Sequence, residues 1–203
     1  MTGAPGQVGK GFYRVLNRVM VPMHQKGFMV WLDSPLAGWQ ALITTTGAKS
    51  GQPRPTPVNY VIVDDAAWIL AGFGEGTQWL RNLRADPRVQ LQRPGRDPIT
   101  THAEEVTDPE VRARVIPRLL RSTGVAGVTI GTIPQRATDE ELVARAAAMP
   151  LVRLTPADGG ELHPGPDDPG GHGWLWRQGL VLGMTFIGWK VLRRLNLLRH
   201  WVS

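Results

Sequence analysis

The stretch Leu42-Ile-Thr-Thr-Thr-Gly-Ala-Lys-Ser-Gly-Gln-Pro-Arg-Pro-Thr-Pro57 joins two apolar runs through a basic turn. Ala41 to Thr46 and Val58 to Val63 are rich in β-branched residues and predict two strands, so the residues between them predict a strand-to-strand connection. Gly47 and Gly51 bracket Lys49 and Ser50, and Arg54 follows. Glycines permit positive φ and let backbone N–H groups approach a bound group, while the two cations supply charge beside them. The same composition also describes an ordinary solvated hairpin loop. A nucleotide P-loop is excluded, because no Gly-Lys-Ser/Thr closes a four-residue spacer and no helix follows.

A chain of 203 residues predicts one domain with appendages, long enough to bury a real core. Its net charge of +6 predicts an anionic partner, and the charge sits at the ends. Lys10, Arg14, Arg18 and Lys26 precede the first acid, Asp33; Arg177, Lys190, Arg193, Arg194 and Arg199 lie in a C-terminal stretch without acids. Residues 27–173 are left at −3, which speaks against nucleic acid as the partner. The absence of cysteine excludes disulfides, iron–sulfur clusters and a thiol nucleophile. His24, His102, His163, His172 and His200 are scattered without ligand spacing, so no metal site is expected. The first residues lack the pattern of a secretory signal, and a cytoplasmic location is expected.

Upstream of the opening stretch, Val8 to Leu32 predicts a helix with Phe12, Val15, Val19 and Met23 on one side and a kink at Pro22. Such a basic helix can pack on the domain or lie on a membrane. Downstream, Asp64-Asp65 predicts a turn, Ala67–Ala71 a third strand, and Gly72, Gly74 and Gly76 a loop ending at Trp79. Leu80 to Leu83 predicts a short helix stopped before Asp86-Pro87. Arg88–Gln92 and Ile99–Val106 predict strands, the latter exposed on one face. A helix starts at Asp108 as N-cap with Pro109 at its first position and runs to about Arg121. Gly124 to Ala137 is weakly patterned, a lid or a loop. Thr138 and Glu141 form a capping-box signature for a helix to about Met149, and Leu151–Leu154 predicts a last strand.

Pro156 to Gly173 has the Pro, Gly and Asp composition of a linker. Beyond it the uncharged run Gln178 to Trp189 has 12 residues, whereas a spanning helix needs roughly 20. An interfacial helix is expected, with Arg177 and Lys190 snorkelling and Trp174, Trp176, Trp189 and Trp201 at a headgroup boundary. Gly179 and Gly183 would equally suit docking on protein, in this chain or a partner copy. The expected layout is a helical segment over 1–40, a barrel domain over 41–155, a linker over 156–173 and a basic apolar helix over 174–203.

Three pieces in order, Thr44 to Arg54, Thr56-Pro57, and the Gly72-rich loop with Trp79-Leu-Arg-Asn-Leu-Arg-Ala-Asp-Pro87, resemble the deazaflavin-dependent nitroreductase family over about Ala41 to Thr155. The resemblance implies an α+β split β-barrel, mostly antiparallel with about six strands, flanking helices and an appended C-terminal amphipathic helix. It also implies coenzyme F-420 as cofactor. Lys49, Ser50 and Arg54 would hold its phosphate and acidic tail; Thr56, Pro57, Val58 and Asn59 would run along the deazaflavin. Ala71, Gly72 and Phe73 would oppose them, and Gln78, Trp79, Leu80, Arg81 and Asn82 would close the site. Ala48 stands where an Arg or Lys is frequent, Phe73 where some members have Lys, and Leu80 in place of a frequent Tyr. FMN therefore remains an alternative cofactor. The implied reaction is hydride transfer to a quinone-like or nitroaromatic acceptor, in a protein that is often a homodimer and here has a membrane-seeking terminus. Asn59 and Tyr60 are candidates to hydrogen-bond the substrate or donate a proton, against plain packing in a strand. The reading from another class is a noncatalytic binder of deazaflavin or of a lipid.

Overall fold

The computed structural model describes residues 18–124, 127 and 133–199, with side chains to residue 193. Phe12, Val15, Trp201 and part of the 124–137 stretch lie outside the described residues. Six strands, β1 (Gln40–Thr46), β2 (Pro53–Val63), β3 (Ala66–Leu70), β4 (Arg88–Gln92), β5 (Ile99–Val106) and β6 (Leu151–Pro156), form the sheet. They close into an antiparallel barrel in the order β1-β2-β3-β6-β5-β4, with β4 returning to β1. Closure leaves no open sheet edge to be protected.

β2 is longer than its apolar run because it begins inside the proline stretch. Pro53, Pro55 and Pro57 stand opposite Thr46, Thr44 and Leu42 of β1. Spaced two apart, they can all turn their nitrogen away from β1, and β3 pairs with β2 only from Tyr60 onward. No ladder bond is forfeited. Asp64 and Asp65 both take positive φ, 50° and 56°, which matches the right-handed twist of a two-residue β2–β3 hairpin.

Alternation along β2 feeds two cores. Tyr60 points into the barrel beside Ala41, Ile43, Ile69, Leu91 and Leu154. Its neighbours Val61 and Val63 point outward with Trp68, where they meet two helices. These are α3 (Pro109–Ser122) and α4 (Asp139–Arg145), contributing Val115, Ile116, Leu119 and Leu142. Both start as their sequences predict. The Asp108 side chain accepts from the Glu110 and Val111 N–H groups, and Thr138 and Glu141 complete a reciprocal capping box. α4 is shorter than expected and ends at Arg145.

The remaining helices are α1 (18–25), followed by a 3-10 turn over Phe28–Trp31, α2 (Gln78–Ala85) and α5 (Gly173–Arg199). Residues 156–173, expected as a linker, instead lie against the barrel. Leu162 donates its N–H to the Asp65 carbonyl at 3.1 Å and puts its side chain into the barrel core, and Asp168 is fully buried. The segment has no apolar period, so its composition reads as slack; Leu162 and the buried Asp168 carboxylate tie it down. Among its described side chains, α5 is packed only at its root. Trp174 meets the barrel core, whereas the large apolar side chains from Leu180 to Leu192 are exposed at successive positions and thus on all sides. Among the described residues no helix is long and apolar enough to cross a membrane.

Candidate functional site

The β1–β2 connection is a hairpin in its backbone and a cationic corner in its side chains. The Gly47 N–H donates to the Gln52 carbonyl at 2.9 Å and the Gly51 N–H to the Gly47 carbonyl at 2.8 Å. Gly51 has φ +64° and so demands glycine, while a Cβ on Gly47 would stand 2.7 Å from Ser50 Oγ, which can turn aside, and 3.1 Å from the Gln52 carbonyl oxygen. The tight turn leaves Lys49 exposed, while the Arg54 guanidinium donates to Ser50 Oγ at 3.2 Å. Among the described residues no carboxylate pairs with Lys49 or Arg54.

α2 braces this corner. Asn82 accepts the Ala48 N–H on Oδ1 at 3.1 Å and donates from Nδ2 to Thr45 Oγ1 at 3.0 Å. The helix can do so because its opposite face, Trp79, Leu80 and Leu83, is buried in the barrel core. Trp79 and Leu80, expected against the cofactor, are thus turned inward, where they position the exposed Gln78 and Arg81 and the half-buried Asn82. Ala71, Gly72 and Phe73 lead into α2 through a turn in which the Gly74 N–H donates to the Ala71 carbonyl at 2.8 Å. Ala71 is fully buried, Phe73 half-buried and Gly72 exposed, with open space where its Cβ would stand.

Along β2, Thr56 and Val58 stand opposite Ile43 and Ala41 and share their inward face, with Val58 buried; Pro57 shares the outer face with Leu42. Ala48, Lys49, Ser50, Arg54 and Asn82 therefore meet at one corner, and Thr56 to Asn59 run away from it along the strand. Glu75, just before α2, also borders a separate open cleft of about 410 Å³ whose lining includes Glu105 and Arg112. There Arg84 bridges Glu75 and Glu105 at 2.5 Å to each, and it holds the Glu75 carboxyl below its ordinary range. Arg84 and Arg112 thus balance the two glutamates in that cleft, whereas the hairpin corner is basic.

The two candidates for a direct role are already engaged. Asn59 donates from Nδ2 to the Trp39 carbonyl at 3.0 Å. Tyr60 is fully buried and its hydroxyl donates to Asp168 Oδ1 at 2.6 Å. The other Asp168 oxygen accepts from Arg93 at 2.9 Å and from the Gly165 N–H at 2.6 Å. Burial first, then the Asp168 charge, pushes the Tyr60 phenol well above its usual range. Asp168, Arg93 and Gly165 carry no sequence signal, since each is ordinary in its local context and only the fold brings them together.

A second buried polar group lies at the root of α5. Arg177 is buried and pairs with Asp167. Asp33 is fully buried, with neither oxygen in a hydrogen bond. Burial raises its pKa to about 8, against the pull of the Gln40 backbone amide, which lies outside hydrogen-bonding geometry, and of the Arg177 charge. His24, buried on α1, is lowered to about 4, again chiefly by burial.

The F420H(2)-dependent quinone reductase family matches residues 20–126, which span the hairpin corner, β2, residues 71–73 and α2. An F420H(2)-dependent quinone reductase of Mycobacterium tuberculosis is 37% identical over 73 residues, covering 34% of this chain and 49% of the relative. The chain thus spans about half the length of the curated relatives it matches. A conserved hypothetical protein of Mycobacterium tuberculosis of known structure is 25% identical, with a TM-score of 0.45, covering 60% of this chain and 74% of that one. A solved F420-H2 dependent reductase is 22% identical, with a TM-score of 0.37, covering 57% of this chain and 91% of that one.

Proposed function

The chain belongs to the F420H(2)-dependent quinone reductase family, and from that premise we propose that it transfers hydride from reduced coenzyme F-420 to a quinone-class acceptor at an anionic membrane surface. The observation that carries this reading is the cationic corner, which lies wholly within the matched residues and has charge to spare. Lys49 and Arg54 are left for an anionic group, and the glycine turn beneath them is held by Asn82. These residues fit a phosphate and acidic tail.

When bound, the deazaflavin supplies the hydride. The protein's share is binding and orientation. Lys49 and Arg54 neutralise the tail, and Ser50, in contact with Arg54, adds a hydroxyl beside it. Thr56, Pro57 and Asn59 offer a half-buried strand for the ring to lie along, and Gly72 leaves room opposite. Asn59 and Tyr60 act here by position: the first ties β2 to Trp39, the second ties it to the 156–173 segment. A proton for the reduced quinone then comes from solvent, because the Tyr60 proton is committed to Asp168.

The site residues lie on an open face of one chain, which suits completion by a second copy, and a homodimer is part of the proposal. The exposed α5 supports the membrane surface as the place where an apolar quinone is met. Full-length protein with reduced F-420 under anaerobic conditions tests the reaction. Reoxidation of the deazaflavin in step with menadione reduction is expected, and FMN added in its place is expected to give none. Tight F-420 binding without turnover of any quinone or nitroaromatic would favour the noncatalytic binder.

A further inference from the structure

We infer that the bilayer-facing surface of this protein is composite, made of α5 together with the apolar turn at residues 28–36 and held as one rigid face by the buried contacts at the root of the helix. The inference rests on the membrane reading above and adds which part of the barrel meets lipid.

Phe28, Trp31, Leu32 and Leu36 are exposed at 56, 38, 47 and 74%, although Met29 in the same turn is buried. Four large apolar side chains in nine residues face water, a density of exposed apolar surface of the kind that marks an interaction site. Trp31 joins the turn to α5. The Trp31 and Trp176 rings meet edge to face at 6.2 Å, and Gln178 Nε2 donates to the Trp31 carbonyl at 3.4 Å. Next to Trp176 in the chain, the buried Arg177 pairs with the half-buried Asp167, and the neighbouring Asp168 is fastened to Tyr60 and Arg93 in the barrel wall. These contacts couple the helix root to the turn.

Three observations select an anionic bilayer as the occupant. The exposed apolar residues from Leu180 to Leu192 surround the helix, and one protein partner would cover one side, whereas a helix sunk to the acyl–headgroup boundary meets lipid on every side. The far end is cationic, with Lys190 over the Phe186 ring at 4.7 Å and Arg193 over the Trp189 ring at 4.5 Å, and no acid lies from residue 174 to the end of the chain. The uncharged run of Gln178 to Trp189 is about 18 Å long, far short of the roughly 30 Å hydrocarbon core. It lies along one leaflet, which keeps Lys190 and Arg193 among the headgroups and brings its own root, with Trp31 and Trp176, to the same boundary.

The chain has no cysteine, so single substitutions can carry an environment-sensitive fluorophore. Leu36→Cys in the turn, Leu182→Cys on α5 and Glu140→Cys on the exposed side of α4 serve as three reporters in the full-length protein. With phosphatidylglycerol/phosphatidylcholine vesicles, the Leu36 and Leu182 labels are expected to blue-shift and brighten several-fold, and the Glu140 label to stay as in water. A shift at Leu182 without one at Leu36 would show α5 to be a free tether; this overturns the composite face and leaves the membrane reading standing. No shift at either would remove the membrane reading itself. A shift at Leu182 on raising protein concentration without vesicles would make a second copy the occupant, and a shift at all three positions would show adsorption without a defined face.

Discussion

Asn82 on α2 holds the backbone N–H of Ala48 at 3.1 Å, across 34 residues of sequence, and so locks the cationic hairpin to a helix anchored in the barrel core. The two stretches that carry the family resemblance are joined by this one side chain. Asn82→Ala removes both its bonds, to Ala48 and to Thr45 Oγ1. A loss of about 1–2 kcal/mol in denaturant unfolding is expected, with F-420 affinity falling as the loop loosens. An unchanged cofactor affinity in a titration would show that the loop needs no brace.

Lys49 and Arg54 should act through charge alone. Lys49→Ala and Arg54→Ala are each expected to weaken F-420 binding by roughly tenfold and to flatten its salt dependence, without lowering Tm, since both side chains are exposed. Ala48→Lys, which places a cation on the same turn, is expected to tighten binding several-fold. Equilibrium titration at two ionic strengths checks all three.

Tyr60→Phe separates packing from catalysis. It leaves Asp168 Oδ1 without its partner inside the protein, which costs about 1–3 kcal/mol of stability. Turnover of reduced F-420 with menadione should persist below the new Tm, with an unshifted pH profile. A collapse of kcat with an intact fold would make the Tyr60 hydroxyl a proton donor after all.

The buried groups near the root of α5 set a pH dependence with a definite sign. Asp33 holds its proton to about pH 8 in the folded protein, well above its usual value of 3.8, so its contribution is full at low pH and is lost as pH rises toward 8. His24 runs the other way: it is kept neutral, and its contribution is present above about pH 6.5 and lost as pH falls toward 4. The two slopes oppose each other between pH 4 and 6.5, and only Asp33 acts from there to pH 8. Urea unfolding should therefore show stability falling between pH 6.5 and 8, and Asp33→Asn should abolish that fall.

Much of the fold was legible because it is written locally. Alternating β-branched runs are strands wherever they pair, Asp108-Pro109 and Thr138 with Glu141 begin helices by their own side chains, and Gly51 is required by a turn six residues long. The cationic corner was legible for the same reason, as Lys49, Ser50 and Arg54 lie within one turn of chain. Trp79 and Leu80 were harder, because a helix next to a site has two faces and sequence alone does not say which one looks inward.

By itself, then, the sequence determined the strands, the helix starts, the basic turn and the family they resemble, all consequences of contacts within a few residues. Tertiary structure alone decided that Tyr60 meets Asp168, 108 residues away, that Arg177 and Asp33 are buried at the root of α5, and that residues 156–173 clasp the barrel. Those choices come from barrel closure, which brings distant segments to one end of the sheet and lets a buried carboxylate find its donors. No local pattern encodes such a meeting.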